Sequence, residues 1–199
     1  MDIKQKACGM YMTNCYIAKV DDKEFIIDPG VDAASWVKDN VKNPIAILNT
    51  HGHFDHIWSN QELKEYFNIP IYTPKDDVFM LTSDPFSQGT PPSSADFEIV
   101  GDEDMEVGGI NIKYLFFPGH TPGCSAILIE DSFFSGDFIF KNSIGRVDFP
   151  YSNPDEMKKS IKKFLKIKEN YRVFPGHGES TTVFDEQRTL PAWLDYIGV

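Results

Sequence analysis

Apolar positions fall in short runs separated by turn formers. Cys15-Tyr16-Ile17-Ala18-Lys19-Val20 and Glu24-Phe25-Ile26-Ile27 flank a turn at Asp21-Asp22 and predict paired strands, the second ending at Asp28-Pro29-Gly30. Ala46-Ile47-Leu48-Asn49 predicts a short strand that runs into His51. Leu63 and Phe67, four apart, set a helical repeat over 57–67, and Ile69-Pro70-Ile71-Tyr72 follows as a strand. Ile110 to Phe117 and Ala126 to Glu130 read as strands around the turn Pro118-Gly119-His120-Thr121-Pro122-Gly123. Phe133-Phe134-Ser135-Gly136-Asp137 then ends another hydrophobic strand on a carboxylate. At Asn153-Pro154-Asp155-Glu156 an N-cap residue, a proline at the first helical position and a glutamate at the third mark a helix start. Met157, Ile161, Phe164 and Leu165 line one face of that helix, and Arg172-Val173-Phe174 is a last strand leading to Pro175-Gly176-His177-Gly178.

Strand-rich segments alternate with helices in both halves, which predicts an α/β protein of two packed sheets with helices outside; periodicity leaves the topology open. Ser83 to Ala95 concentrates proline and turn formers and predicts a long surface loop. No repeat or linker divides the 199 residues, so one domain spanning 1–199 is expected.

Hydrophobic residues at 41% and aromatics at 14% provide for a substantial core. The net charge of −11, from 30 acidic and 19 basic residues, opposes a phosphate backbone, so nucleic acid is not an expected partner. No apolar run approaches the ~18–20 residues of a membrane span, and Met1 to Lys6 lacks a signal-peptide pattern, so a cytoplasmic protein without membrane association is expected. Cys8, Cys15 and Cys124 form no C-x-x-C pair, which argues against a disulfide framework and for a reducing compartment. The lysines at 158, 159, 162, 163, 166 and 168 read as a solvated helix face rather than an anion site.

His51-Gly52-His53-Phe54-Asp55-His56 places four potential metal ligands in six residues, far more than a surface loop normally collects. Imidazole and carboxylate suit zinc and related divalent ions, whereas structural zinc more often recruits cysteine, which is absent from the hexapeptide. One such loop can serve two adjacent ions if further ligands arrive. His120 and His177, each preceded by Pro-Gly, and Asp137, a carboxylate able to bridge two cations, supply them. An isolated histidine is more often a hydrogen-bonded structural residue, but beside the hexapeptide the weight of that reading reverses.

These motifs resemble the metallo-β-lactamase superfamily, whose H-x-H-x-D-H signature stands intact at 51–56. Asp28-Pro29-Gly30, the His120 loop, Ser135-Gly136-Asp137 and Pro175-Gly176-His177-Gly178 match its other segments in order. The resemblance implies a four-layer αβ/βα sandwich of two mixed β-sheets. It also implies two divalent ions, zinc ahead of iron or manganese: His51, His53 and His120 would hold one, Asp55, His56 and His177 the other, with Asp137 between them. Within the superfamily, Gly136 to Phe140 and Gly145 to Pro150 are similar to segments of the glyoxalase II group, the hydroxyacylglutathione hydrolases, in its short form without a C-terminal helical domain. Arg146 falls where longer enzymes place a glutathione-binding basic residue, and Asp148 where they place a tyrosine. Trp58, in a segment that is small and glycine-rich in relatives, is expected to narrow the pocket.

The resemblance implies a hydrolase acting on a small-molecule thioester, such as an S-acylglutathione. Two cations sharing a water would lower its pKa toward about 7, with Asp55 orienting the hydroxide formed. A thiolate, with a conjugate-acid pKa of about 8.5, leaves without much acid help. The alternatives are an iron persulfide dioxygenase or a lactonase of the same fold, and a non-catalytic metal-binding scaffold, against which retention of all seven ligands argues.

Overall fold

The computed structural model describes residues 1–197, so the last two positions of the expected 1–199 domain lie outside the described residues. The first apolar runs form a meander: β1 (Asp2–Cys8), β2 (Thr13–Val20) and β3 (Lys23–Ile27) pair antiparallel. β4 (Pro44–Leu48), β5 (Ile71–Pro74) and β6 (Phe97–Ile99) then join in parallel, giving the order β1-β2-β3-β4-β5-β6. Parallel neighbours need crossovers, and α1 (Ala33–Asn40) and α3 (Asn60–Phe67) supply the first two.

The second sheet runs β14 (Thr181–Thr182), β13 (Arg172–Pro175), β10 (Ser132–Gly136), β9 (Ser125–Ile129), β8 (Ile110–Phe116), β7 (Glu103–Val107). Only β10 and β13 pair in parallel there, through the crossover that contains α5 (Pro154–Phe164). A two-stranded ribbon, β11 (Ile139–Phe140) and β12 (Ser143–Ile144), follows β10.

Three apolar clusters separate four layers. Tyr16, Phe25, Ile27, Leu48, Ile112, Tyr114, Ile127 and Phe134 pack between the two sheets. Ile26, Ile47 and Ile71 meet Ala33 and Val37 of α1 and Leu63 of α3 on one outer face. Phe133 and Val173 meet Ile161 and Phe164 of α5 and Leu190 of α6 (Val183–Tyr196) on the other. β2 and β9 are buried on both faces, which is why their runs are continuous rather than alternating.

The helix expected over 57–67 is two helices, α2 (Phe54–Ile57) and α3. The break at Trp58-Ser59 has a cause: Ser59 donates its N–H to the Pro29 carbonyl at 2.9 Å and its hydroxyl to the Gly30 carbonyl at 2.7 Å, fastening the chain to the β3 end. The strand expected at 69–72 begins at Ile71. Residues 84–96, after α4 (Val78–Ser83), carry no helix or strand, in line with the expected loop. Asn153 caps α5, accepting at Oδ1 from the Asp155 and Glu156 N–H groups at 3.0 and 3.1 Å. Asn153→Ala should therefore lower stability by about 1 kcal/mol, read from the denaturant midpoint.

All three cysteines are buried and unpaired, and burial pushes their thiols up. Among the described residues no helix is long and apolar enough to cross a membrane.

Candidate metal centre

Four strand ends meet at one edge of the sandwich. β4 runs through Asn49-Thr50 into His51, and the loop with α2 carries His53, Asp55 and His56. The β8–β9 turn carries His120, β10 ends at Asp137 and β13 ends at His177. Because β10 and β13 are parallel neighbours, Asp137 and His177 emerge side by side, and the Gly176 N–H donates to the Gly136 carbonyl at 2.8 Å. The two sheets are joined here: Thr13 bridges His177, and the Asn14 N–H donates to the Gly176 carbonyl at 2.7 Å. Asn14 Nδ2 and the Tyr16 hydroxyl also donate to the Pro175 carbonyl, at 2.9 and 2.6 Å.

The seven side chains converge. One ligand atom from each of His51, His53 and His120 lies within 4.8 Å of the others, and the same holds for Asp55, His56 and His177. Asp137 stands between these sets: Oδ1 is 3.3 Å from His56 Nε2, and Oδ2 is 3.4 Å from both His120 Nε2 and His177 Nε2. Asp55 Oδ2 is 3.5 Å from His177 Nε2.

Outer contacts aim these groups inward. His56 Nδ1 meets Asp28 Oδ2 at 3.0 Å, His51 Nδ1 meets Thr50 Oγ1 at 3.1 Å, His120 Nδ1 meets the Arg146 carbonyl at 2.8 Å, and His177 Nδ1 meets the Tyr11 carbonyl at 3.1 Å. Each pairing leaves Nε2 facing the centre, the pattern that orients metal-binding imidazoles. The Thr13 hydroxyl donates to Asp55 Oδ2 at 2.6 Å. Gly176 has no room for a side chain, since a Cβ there would lie 2.1 Å from Asp137 Oδ1 and 2.7 Å from His56 Cε1.

His51 Nε2, His56 Nε2 and Asp137 Oδ1 are buried without a hydrogen bond, and His53 turns Nδ1 toward His120 Nε2 at 2.9 Å. Buried polar atoms are rarely left unpaired, and three in one cluster fit a centre built to give electron pairs to cations. Burial holds His51 and His53 well below the ordinary imidazole range and lowers His120, so these rings are neutral at pH 7 and free to donate. Burial acts against ionisation of Asp137, yet His56 and His177 hold it well below the carboxylate range. Burial likewise opposes charge on His56 and His177, but Asp137 raises both, joined at His56 by Asp55. Concentrated negative charge draws protons to those two rings, and a divalent cation answers the same charge.

Two residues here had no role predicted from the sequence. Asp28 was legible only as a strand-end motif; it accepts the Thr50 N–H and hydroxyl at 2.8 and 2.6 Å as well as meeting His56. Asp77, fully buried before α4, joins the two histidine loops. Its Oδ2 accepts the Gly52 N–H at 2.9 Å and the Thr121 hydroxyl at 2.6 Å, and its Oδ1 accepts the Gly123 N–H at 2.6 Å. Burial pushes its carboxyl up to about 6 against the pull of these three donors. A Cβ on Gly52 would stand 2.7 Å from the Asp77 carbonyl, so the first histidine loop packs directly on the Asp77 turn. Lys75-Asp76-Asp77 reads as a charged surface turn, and nothing in it signals a buried clamp.

A cavity of about 430 Å³ opens on the cluster. Tyr11, Phe54, Phe86, Phe140 and Phe149 form its walls, with Gln88 and Arg146, while Trp58 does not line it. The narrowing expected of Trp58 thus comes from other aromatics, because the Ser59 tie turns that segment toward the Pro29-Gly30 loop. Arg146 lies at the mouth, donating from Nε and Nη2 to the Asp148 carboxylate at 2.9 and 2.7 Å and stacking 4.2 Å from the Phe149 ring centre.

Comparison with known proteins agrees with this architecture. The family model described as the metallo-beta-lactamase superfamily matches residues 8–177. A probable metallo-hydrolase, YqgX of Bacillus subtilis, is 33% identical over 96% of this chain and 97% of its own length. The hydroxyacylglutathione hydrolase GloC of Haemophilus influenzae is 32% identical over the same shares. Among solved structures, BLEG-1 B3 metallo-beta-lactamase superposes with a TM-score of 0.87 at 31% identity, over 97% of this chain and 99% of that one. TTHA1623 in a di-iron-bound form gives 0.83 at 30%, over 95% and 99%.

Proposed function

This chain belongs to the metallo-beta-lactamase superfamily and is a metal-dependent hydrolase of it, and from that premise we propose that it cleaves small-molecule thioesters at a centre of two divalent ions. His51, His53 and His120 would hold one ion and Asp55, His56 and His177 the other, with Asp137 reaching both. Ions bound there lower the pKa of water and polarise an acyl carbonyl.

The observation that carries the thioester reading is the proton inventory. Every histidine and carboxylate lining the cavity, His53, Asp55, His120, Asp137 and His177, belongs to the proposed ligand set. An amine leaving group needs a proton that these committed side chains do not spare, whereas a thiolate departs unprotonated at neutral pH. Asp55, steadied by the Thr13 hydroxyl, would orient the hydroxide formed at the ions rather than carry a proton to the leaving group. Asp28 and the Arg146 carbonyl hold the His56 and His120 rings in orientation, and the aromatic walls exclude bulk water. The likeness to GloC supports the same leaving-group class.

The test is metal analysis of the purified protein coupled to assays on S-D-lactoylglutathione, a neutral thioester, a lactone, a β-lactam and glutathione persulfide. Thioester hydrolysis that disappears on chelation and returns with zinc, iron or manganese is expected. Oxygen consumption with the persulfide, or β-lactam turnover, without thioester hydrolysis would overturn the reading.

A further inference from the structure

The substrate cavity is apolar on nearly every side. Five aromatic rings form its walls, and the hydrogen-bonding groups there outside the ligand set are Gln88, Arg146 and the Tyr11 hydroxyl. The apolar lining continues onto the rim. Tyr151 packs its ring 5.1 Å from Phe79 and 6.2 Å from Phe86, and Tyr11 sits in an exposed hairpin tip between Met10 and Met12. Such a lining favours ligands that bring apolar area out of water, and polar ligands lose hydration there without partners to replace it.

Arg146 is the one lysine or arginine among the described residues that line the cavity, and it is occupied. Asp148 faces its guanidinium in a two-point pair and Phe149 covers one face, so the mouth carries a compensated charge rather than a free positive one. The chain as a whole adds a net charge of −11, which disfavours approach of anions. A thiol portion bearing two carboxylates, lying at the mouth away from the ligand cluster, therefore meets no uncommitted lysine or arginine there.

Resting on the thioester reading, we propose that the preferred substrates are thioesters of apolar, aromatic-sized acyl groups on a neutral or weakly charged thiol, and that the Arg146–Asp148 pair disfavours carboxylate-rich thiols such as glutathione. The acyl group packs among Phe54, Phe86, Phe140 and Phe149 with its carbonyl toward the histidine cluster. Asp148 is here a specificity residue acting through Arg146.

Binding tests this independently of turnover. Calorimetry on the metal-loaded protein would compare three unreactive thioethers: N-acetyl-S-(2-phenylethyl)cysteamine, N-acetyl-S-methylcysteamine and S-methylglutathione. The phenylethyl compound is expected to bind at least about tenfold more tightly than either methyl compound, the scale on which a hydrophobic pocket discriminates. Phe86→Ala should erase most of that preference. Asp148→Asn should tighten S-methylglutathione by about threefold or more, since it removes one partner of an exposed ion pair; a gain of affinity does not arise from misfolding. S-methylglutathione binding more tightly than the phenylethyl compound, or Asp148→Asn leaving its affinity unchanged, would overturn the proposal. Preference for the phenylethyl compound without hydrolysis of any thioester would instead overturn the thioester reading and leave the apolar selectivity standing.

Discussion

Asp137→Ala is expected to remove bound metal and hydrolysis together, with turnover falling at least about 100-fold, the upper end of what residues merely supporting a metal centre cost. Among the described residues Asp137 is the one carboxylate within 3.4 Å of ring nitrogens from both proposed ligand sets. Its loss would leave His56 and His177 without the group that most raises their proton affinity, and would leave the two proposed cations without a shared anion between them. Metal content by mass spectrometry and turnover of a neutral thioester measure the two effects on one preparation. Lys162→Ala, on the exposed face of α5, is the matched control and should change neither. Full activity in Asp137→Ala would remove the proposed bridge.

The second large effect is expected at Asp77, which touches none of the proposed ligands. Asp77→Ala would leave the Gly52 N–H, the Gly123 N–H and the Thr121 hydroxyl unpaired in the interior and uncouple the two loops that present His51, His53 and His120. Each unsatisfied buried donor costs about 1–3 kcal/mol, and the looser loops should lower turnover by about 10–100-fold. Asp77→Asn should be milder, because its amide keeps one acceptor oxygen. The pair also has a pH signature. The folded protein holds the Asp77 carboxyl at about 6, above the ordinary 3.8, so it binds that proton more tightly than the unfolded chain does. This contribution to stability is full below pH 3.8 and is lost as pH rises through 6, an amount on the order of 3 kcal/mol. Asp77→Asn cannot titrate, and groups shared by the two proteins cancel in the difference. Its stability deficit in denaturant unfolding should therefore be larger at pH 4.5 than at pH 7.5. A deficit independent of pH would show that Asp77 is already ionised throughout that range.

Much of this architecture was legible before any coordinates. The buried strands β2, β3, β9 and β10 declare themselves as apolar runs, β8 alternates apolar and polar residues, and the cap of α5 is written in Asn153-Pro154-Asp155-Glu156. Edge strands were not: β1, Asp-Ile-Lys-Gln-Lys-Ala-Cys, faces solvent along most of its length and carries little hydrophobic signal. α6 was obscured by Pro191 within it. The ligand cluster stood out because histidine and aspartate concentrate at strand ends beside glycine. Asp77 did not, because its role depends on backbone N–H groups of two distant loops, and main-chain donors leave no mark in composition. Arg146 was expected on the substrate, and lines the cavity mouth, but its engagement by Asp148 rests on a two-residue geometry that spacing alone does not reveal.

The stitching of Thr13 and Asn14 to the His177 segment bears on how the protein would hold the proposed ions. The two half-sandwiches each own part of the proposed coordination sphere: 51–56 hangs from one sheet, and 120, 137 and 177 hang from the other. Any opening of the seam between them would pull the donors apart, so release of an ion bound there and separation of the halves would be one thermodynamic event seen from two sides. A tightly held ion thereby acts as a rivet for the whole molecule, and conditions that strip it should loosen a joint formed by residues more than a hundred positions apart in the chain.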